Sequence, residues 1–133
     1  MFRNIAGVAG AAIMAMALSA SAGQEERRAG MKAIGAAAKA AGKGQDAAAN
    51  AQKIIDYAKA IPVLFEDQEI TGDSEAKPII WSQWDDFSAK AKDLEMAAMA
   101  VLVAANNGGD VGAAVKGMFP TCGGCHKVYR VKN

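Results

Sequence analysis

The chain has 133 residues, of which 52% are hydrophobic, and its 15 basic residues nearly balance its 14 acidic residues. A near-neutral chain lacks the basic patch by which proteins bind nucleic acid, so we expect no nucleic-acid partner. A chain of this length forms one small domain, and small domains often need a cofactor or a cross-link to be stable.

The first part of the chain has the pattern of a secretory signal peptide. Arg3 precedes an apolar run over residues 5–18, and an A-x-A site follows at residues 20–22. The run is too short to span a bilayer comfortably, which disfavours the alternative of a retained membrane anchor. We therefore predict a cleaved signal peptide over residues 1–22, export to the periplasm, no stable membrane anchor, and a single mature domain over residues 23–133.

The mature domain is predicted to contain four helices. Glycines and prolines interrupt the chain at a few places only, and no segment alternates in the manner of a strand. The predicted helices cover about residues 24–41, 46–61 and 78–105, and run from residue 110 almost to the end. Amphipathic helices with fairly short connections favour an all-α, antiparallel up-down-up-down four-helix bundle.

Apolar residues recur at helical spacing in each segment and are predicted to face the core. They are Met31, Ile34, Gly35 and Ala38 in the first helix; Ala47, Ala51, Ile54, Ile55, Ala58 and Ile61 in the second; Ile80, Trp84, Phe87, Leu94, Ala98, Val101 and Ala105 in the third; and Val111, Val115, Met118, Cys122, Cys125 and Tyr129 in the fourth.

Acidic and proline residues mark the predicted helix boundaries. Asp46 and Asp110 are candidate N-caps, and Pro78 fits the first turn of the third helix. Pro120 lies inside the fourth helix, where a proline removes a backbone donor, so we expect it to kink or split that helix. The acidic connection between the second and third helices is expected to be exposed.

Both cysteines and the only histidine lie in "CGGCH", residues 122–126. This spacing matches the haem c attachment pattern. Each thiol can form a thioether bond with one vinyl group of the porphyrin, and the next residue then turns its imidazole towards the iron. We therefore predict that Cys122 and Cys125 hold one covalent haem c and that His126 is an axial ligand of its iron.

Three other uses of the motif fit the sequence less well. A thioredoxin-type redox pair requires a βαβ context, which the sequence does not show. A structural zinc site requires four Cys or His ligands, and the mature chain has three such residues. A disulfide between these cysteines would close a very short loop and stabilise the fold little.

Met31 is the predicted second axial ligand. In an antiparallel bundle the start of the first helix lies beside the end of the fourth, which brings Met31 and His126 to the same end. Met118 shares a helix with His126, and Met96 and Met99 lie off the inward stripe of the third helix. A thioether is a known axial partner of histidine and raises the reduction potential. The alternative is that Met31 fills the core, as methionine usually does.

The same geometry predicts the pocket around the porphyrin, because the second helix ends and the third begins at this end. The residues expected there are Ile54, Ile55, Ile80, Trp81, Trp84 and Phe87. Arg27 lies one turn before Met31, and Arg130 one turn after His126, so each is a candidate for a propionate contact. The alternatives are core packing for the apolar residues and solvation for the two arginines.

The chain resembles the cytochrome c′ and cytochrome c-556 family over essentially the whole mature domain. The resemblance rests on "RRAGMKAIGAAAKA", which contains Arg27 and Met31, on "KPIIWSQWDDF", and on "CGGCHKVYR". It implies a haem-binding four-helix bundle. The family divides at the position of Met31: low-spin c-556 members have methionine there, whereas high-spin members have a non-ligating apolar residue. The short lead before Arg27 departs from the family pattern and is expected to let Met31 detach more easily.

The resemblance therefore implies an electron carrier rather than an enzyme, with no catalytic residue. We expect a monomer or homodimer that exchanges one electron with redox partner proteins in the periplasm. The alternative is a five-coordinate, high-spin protein of the cytochrome c′ type that binds small gases such as NO and CO, which Met31 disfavours. A bundle that has lost its haem is a third alternative, which the intact motif disfavours.

The signal-peptide prediction can be tested directly on exported protein. N-terminal sequencing of the periplasmic fraction should give Gly23 as the first residue, because cleavage is expected after Ala22. A protein that retains Met1 and is found in the membrane fraction would instead support the anchor alternative.

Overall fold

A computed structural model describes residues 20–131, which fold into five α-helices. The helices are α1 (Ala20–Gly42), α2 (Ala47–Leu64), α3 (Ile79–Ser82), α4 (Trp84–Asn106) and α5 (Val111–Tyr129). The four long helices pack as α1 on α2, α2 on α4, α4 on α5 and α5 on α1, so the predicted all-α four-helix bundle is confirmed. The predicted signal peptide lies, up to residue 19, outside the described residues.

The predicted third helix is interrupted at Gln83, so the prediction of one continuous helix there was wrong. Gln83 adopts the non-helical angles φ −120° and ψ 41°, which separate α3 from α4. Its backbone groups remain paired, since its N–H donates to the Ile79 carbonyl at 2.9 Å and its carbonyl accepts from the Phe87 N–H at 2.9 Å. The Tyr129 hydroxyl, from α5, donates its proton to the Asp86 carboxylate and also lies 3.2 Å from the Gln83 side-chain oxygen.

Two prolines lie inside helices that were predicted to end or break at them. The second helix was predicted to end at Ile61, but α2 continues through Pro62 to Leu64. A kink or a split was predicted at Pro120, and the split does not occur, because α5 is continuous from Val111 to Tyr129. A proline costs a helix one backbone donor and crowds the preceding turn. Pro120 is exposed, which allows the ring to point away from the core and the preceding turn to be solvated.

The two candidate N-caps differ. The Asp110 carboxylate accepts a hydrogen bond from the Ala113 N–H at 2.9 Å, so it caps α5 as predicted. Asp46 does precede α2, but it adopts the left-handed conformation with φ 43° and makes no side-chain cap bond. It therefore serves the tight turn between α1 and α2 rather than the helix terminus.

The buried core follows the predicted stripes. It contains Ile34 and Ala38 from α1, Ala51, Ile54, Ile55, Ala58 and Ile61 from α2, Ile80 from α3, Phe87, Leu94, Ala98 and Val101 from α4, and Val115, Met118 and Tyr129 from α5. The predicted stripes omitted Ala37, Ala41 and Ala91, Phe65 in the connection after α2, and three buried polar residues, Gln24, Arg27 and Glu95. Gly35, which was predicted to face the core, is exposed. Within residues 20–131, no helix is long and apolar enough to cross a membrane.

The connection between α2 and α3 is tied to the last residues of α5. The Lys77 N–H donates to the Tyr129 carbonyl at 2.9 Å, and the Val131 N–H donates to the Glu75 carbonyl at 2.7 Å. Ala76 and Arg130 form an isolated antiparallel bridge between these bonds. The start of α1, the end of α2, the start of α3 and the end of α5 therefore meet at one end of the bundle. Although most of this connection is exposed as predicted, its backbone is held in place.

Two valines of α4 test how far stability depends on the core rather than on helix propensity. Val101 is fully buried, whereas Val103 is 56% exposed. Val101→Ala should lower the free energy of unfolding by about 2 kcal/mol, because it removes two buried methyl groups and leaves a small cavity. Val103→Ala is the control, because it makes the same change in helix propensity. Its free energy of unfolding should stay within about 0.5 kcal/mol of the wild-type value. Urea unfolding followed by circular dichroism gives both values, and equal effects would contradict this description of the core.

Candidate functional site

A cavity of about 650 Å³ opens at the end of the bundle where α1, α3 and α5 meet. Cys122, Cys125 and His126 line it from α5, and Met31 lines it from α1. Most of the remaining wall is apolar and includes Ile34, Ala38, Ile54, Ile61, Phe65, Ile80, Phe87, Ala91, Leu94, Met118, Phe119 and Tyr129. The two thiols, His126 and Met31 are therefore brought together from helices that are far apart in sequence.

The two cysteines are free, half-buried thiols on the inner side of α5. Burial raises the pKa of Cys125 to about 11, and burial also raises the pKa of Cys122, where a hydrogen bond with Thr121 partly offsets it. Both thiols are thus protonated at neutral pH. That state does not suit a redox-active pair, which works as a thiolate.

The zinc alternative lacks a ligand set in the described part of the chain. Among residues 20–131, no three His, Cys, Asp or Glu side chains are grouped so that they could hold a metal ion. The βαβ context of a thioredoxin-type pair is likewise missing from these residues, which form helices and one isolated bridge.

His126 is half-buried one residue after Cys125. Burial lowers the pKa of its imidazole, and the nearby positive charge of Arg130 lowers it further. The neutral imidazole is therefore favoured at neutral pH, and this is the form that binds metals.

Met31 lies on the cavity wall and packs against the core. Met118 is also on the wall, but it is buried in α5 below the cysteines, in the same helix as His126. Met96 and Met99 are 60% and 48% exposed on the outer side of α4. Of the methionines within residues 20–131, Met31 is therefore the one that reaches the cavity from a helix other than that of His126.

Arg27 is buried, and its guanidinium is held by the connection after α2. It donates to the Leu64 carbonyl at 2.8 Å, to the Glu69 carbonyl at 3.4 Å and to the Asp67 carbonyl, and it lies 4.3 Å above the centre of the Phe65 ring. Burial lowers the pKa of Arg27, although Asp67 partly offsets this effect. Arg27 thus joins α1 to the connection, and a propionate contact of this residue stays a prediction.

Arg130 lies at the mouth of the cavity, just beyond the end of α5, and is exposed. Its guanidinium donates to the Glu75 carboxylate. A propionate contact of Arg130 also stays a prediction.

Of the three aromatic residues predicted to lie near the porphyrin, Phe87 lines the cavity. Trp84 packs on the Phe87 ring with a centroid distance of 5.6 Å and is not on the wall. Trp81 is also off the wall, and its indole N–H donates to the Phe65 carbonyl at 2.6 Å. Phe65, which the sequence patterns missed, is on the wall beside Phe87 with a ring distance of 5.0 Å.

The cavity suits a haem in size, polarity and charge. Its volume falls in the usual range of about 300–1,000 Å³ for small-molecule sites. The two thiols and the imidazole come from one wall, and the rest of the wall is mainly apolar. The basic residues Arg28, Lys32, Lys90 and Arg130 also contact the cavity, together with Asp73 and Glu75. Basic side chains at the mouth are suited to the carboxylates of a porphyrin.

Comparison with known proteins agrees with this assignment. A sequence model of cytochrome c′ matches residues 16–130. The chain belongs to the cytochrome c′ family. Cytochrome c-556 from Agrobacterium fabrum (strain C58) is 42% identical over 123 residues, which cover 84% of each protein. A shorter match, 41% identical over 81 residues, covers 59% of this chain and 63% of cytochrome c-556 from Agrobacterium tumefaciens (strain apple 185).

The solved structures of the cytochrome c′ family show the same bundle. Cytochrome c′ from Rhodobacter spheriodes superposes with a TM-score of 0.74 at 27% identity, covering 86% of this chain and 99% of that chain. Proteins of the cytochrome c′ family bind covalent haem c with its iron, and this chain has both thiols for the attachment. It is a c-type haem protein of this family.

Covalent attachment through these thiols can be measured by mass. Protein exported from cells that contain the haem maturation machinery should keep the mass of one haem after acid–acetone extraction, because thioether bonds survive that treatment. Replacing both thiols (Cys122→Ala with Cys125→Ala) should leave apoprotein, whereas the control Met96→Ala, at an exposed residue of α4, should keep the haem. Apoprotein mass for the exported wild type would contradict the assignment.

Proposed function

We propose that this chain is a periplasmic one-electron carrier that holds one haem c, with His126 and Met31 as the axial ligands. The observation that carries the proposal is the placement of these two side chains on the wall of one cavity, each from a different helix. Similarity to cytochromes c-556 supports it further. The proposal includes export by the signal peptide and the absence of an enzymatic role.

The haem iron, when bound, supplies reversible one-electron exchange. The residues of the chain then have separate tasks. Cys122 and Cys125 fix the position of the ring relative to α5, and the lowered pKa of His126 keeps its imidazole neutral for ligation. With haem bound, the Met31 thioether would raise the reduction potential, since it would stabilise the reduced state of iron more than the oxidised state. The apolar wall, with Phe87 and Leu94, excludes water from the site.

The net charge of the mature chain is too small to steer a partner over a long range. Cleavage at the predicted site would remove Arg3 and leave equal numbers of acidic and basic residues. Long-range steering requires a strong field of one sign, so association with redox partner proteins in the periplasm is proposed to depend on short-range contacts around the cavity mouth.

Met31→Ala tests the axial assignment. The wild-type protein should be low-spin in both oxidation states, with a near-infrared methionine-to-iron charge-transfer band in the ferric form. Met31→Ala should remove this band, open the site to carbon monoxide and lower the reduction potential. Truncating a fully buried methionine lowers the free energy of unfolding by about 2–5 kcal/mol. Because Met31 is only half-buried, Met31→Ala should not cost more than this.

Met96→Ala is the matched control. Because Met96 is exposed on α4, its replacement should leave the charge-transfer band and the reduction potential unchanged. A wild-type protein that is already high-spin and binds carbon monoxide readily would overturn His/Met ligation and support the alternative of a five-coordinate gas-binding protein.

A further inference from the structure

Gly30, the residue before Met31, is in unusually close contact with Tyr57 of α2. A Cβ atom at position 30 would lie 1.9 Å from Cε2 of Tyr57 and 2.4 Å from its Cζ. Any residue larger than glycine would therefore have to displace the ring or separate α1 from α2. The missing side chain lets the aromatic ring lie directly against the backbone of α1 at this turn.

The hydroxyl of the same tyrosine binds the same turn. Tyr57 donates to the Arg27 carbonyl at 2.9 Å. In an α-helix the carbonyl of residue 27 also accepts the N–H of residue 31, so this oxygen serves both the helix and the tyrosine. Burial raises the pKa of Tyr57 to about 12, which keeps the hydroxyl protonated as a donor at any ordinary pH.

These contacts fix the turn of α1 that carries Met31 from two directions. The Arg27 side chain holds it to the connection after α2, while Tyr57 holds its backbone to α2 itself. Met31 is only half-buried, so fewer packing contacts restrain its side chain than would restrain a fully buried methionine. The position of its sulfur is therefore set largely by how firmly this turn is held.

We propose that Gly30 and Tyr57 are positioning residues that hold Met31 at the iron, and that loosening their contact opens the sixth position to a small gas ligand. The proposal rests on the proposed ligation by Met31. It makes the contact between α1 and α2 a second requirement, beside Met31 itself, for keeping the sixth position closed.

Tyr57→Phe tests the hydroxyl alone, since the ring that fills the space is retained. The apparent carbon monoxide affinity reports the fraction of molecules in which Met31 is detached, because carbon monoxide binds only to those molecules. Loss of one neutral hydrogen bond, worth about 1 kcal/mol, corresponds to an increase of about fivefold in apparent affinity. The near-infrared charge-transfer band of the ferric protein should weaken in the same variant.

Gly30→Ala tests the close approach and should have the larger effect, an increase of more than about tenfold in apparent carbon monoxide affinity, because the contact with Tyr57 cannot form without a shift. Gly117→Ala is the matched control. Gly117 is an exposed glycine of α5 that is not on the cavity wall, and a Cβ there would meet no atom within 4 Å. It should leave the band and the affinity as in wild type.

A double variant separates positioning from general damage. If Gly30→Ala acts through Tyr57, it should have no further effect on the band or the affinity in a Tyr57→Ala background. Reduced thermal stability of Gly30→Ala and Tyr57→Phe, with the wild-type band and the wild-type carbon monoxide affinity, would overturn the proposal while leaving Met31 ligation intact. Should Gly30→Ala fail to fold, Tyr57→Phe alone decides. A high-spin wild-type protein would overturn both the ligation and its positioning.

Discussion

The buried guanidinium of Arg27 is the contact on which the functional end of the bundle depends. A charged group removed from water is tolerated only where its donors are paired, and here the acceptors are backbone carbonyls of residues 64, 67 and 69. The same bonds satisfy carbonyls that a loop would otherwise leave to solvent. With the connection fixed in this way, Phe65 is directed into the core beneath the guanidinium, and its carbonyl accepts the bond from Trp81 that positions α3.

The connection that Arg27 fixes is also the support for the end of α5. Its residues 75 and 77 exchange backbone bonds with Tyr129 and Val131, and the Tyr129 hydroxyl continues the contact to the break at Gln83. One segment of chain is therefore bonded both to the helix that carries Met31 and to the helix that carries the two thiols and His126. Their relative position is defined by a shared neighbour, in addition to the packing of α1 on α5.

The sequence predicted those features whose cause is local or periodic. The thiols and the imidazole are adjacent in the chain, and core stripes such as Ile54 to Ile61 follow from helical periodicity alone. The position of Met31 followed from antiparallel helix order. Trp81 and Trp84 were expected near the porphyrin because the predicted third helix begins at this end of the bundle. That helix is interrupted at Gln83 between them, neither indole lines the cavity wall, and their contact with a porphyrin stays a prediction. The partners of Arg27 are carbonyls, which any sequence possesses, so no pattern of side chains could reveal them.

One group of small buried residues lies at the end of the bundle away from the cysteines, and none of them lines the cavity. Ala41, Ala51, Ala98 and Val101 are fully buried where α1 ends, α2 begins and α4 ends. Helix packing there involves none of the residues of the cavity wall, whereas the cavity end combines apolar core residues such as Ile54 and Phe87 with the backbone bonds of the connection after α2. The free energy of local opening can differ between two such regions of one protein. This part of the core therefore provides contacts between helices that do not depend on what the cavity contains.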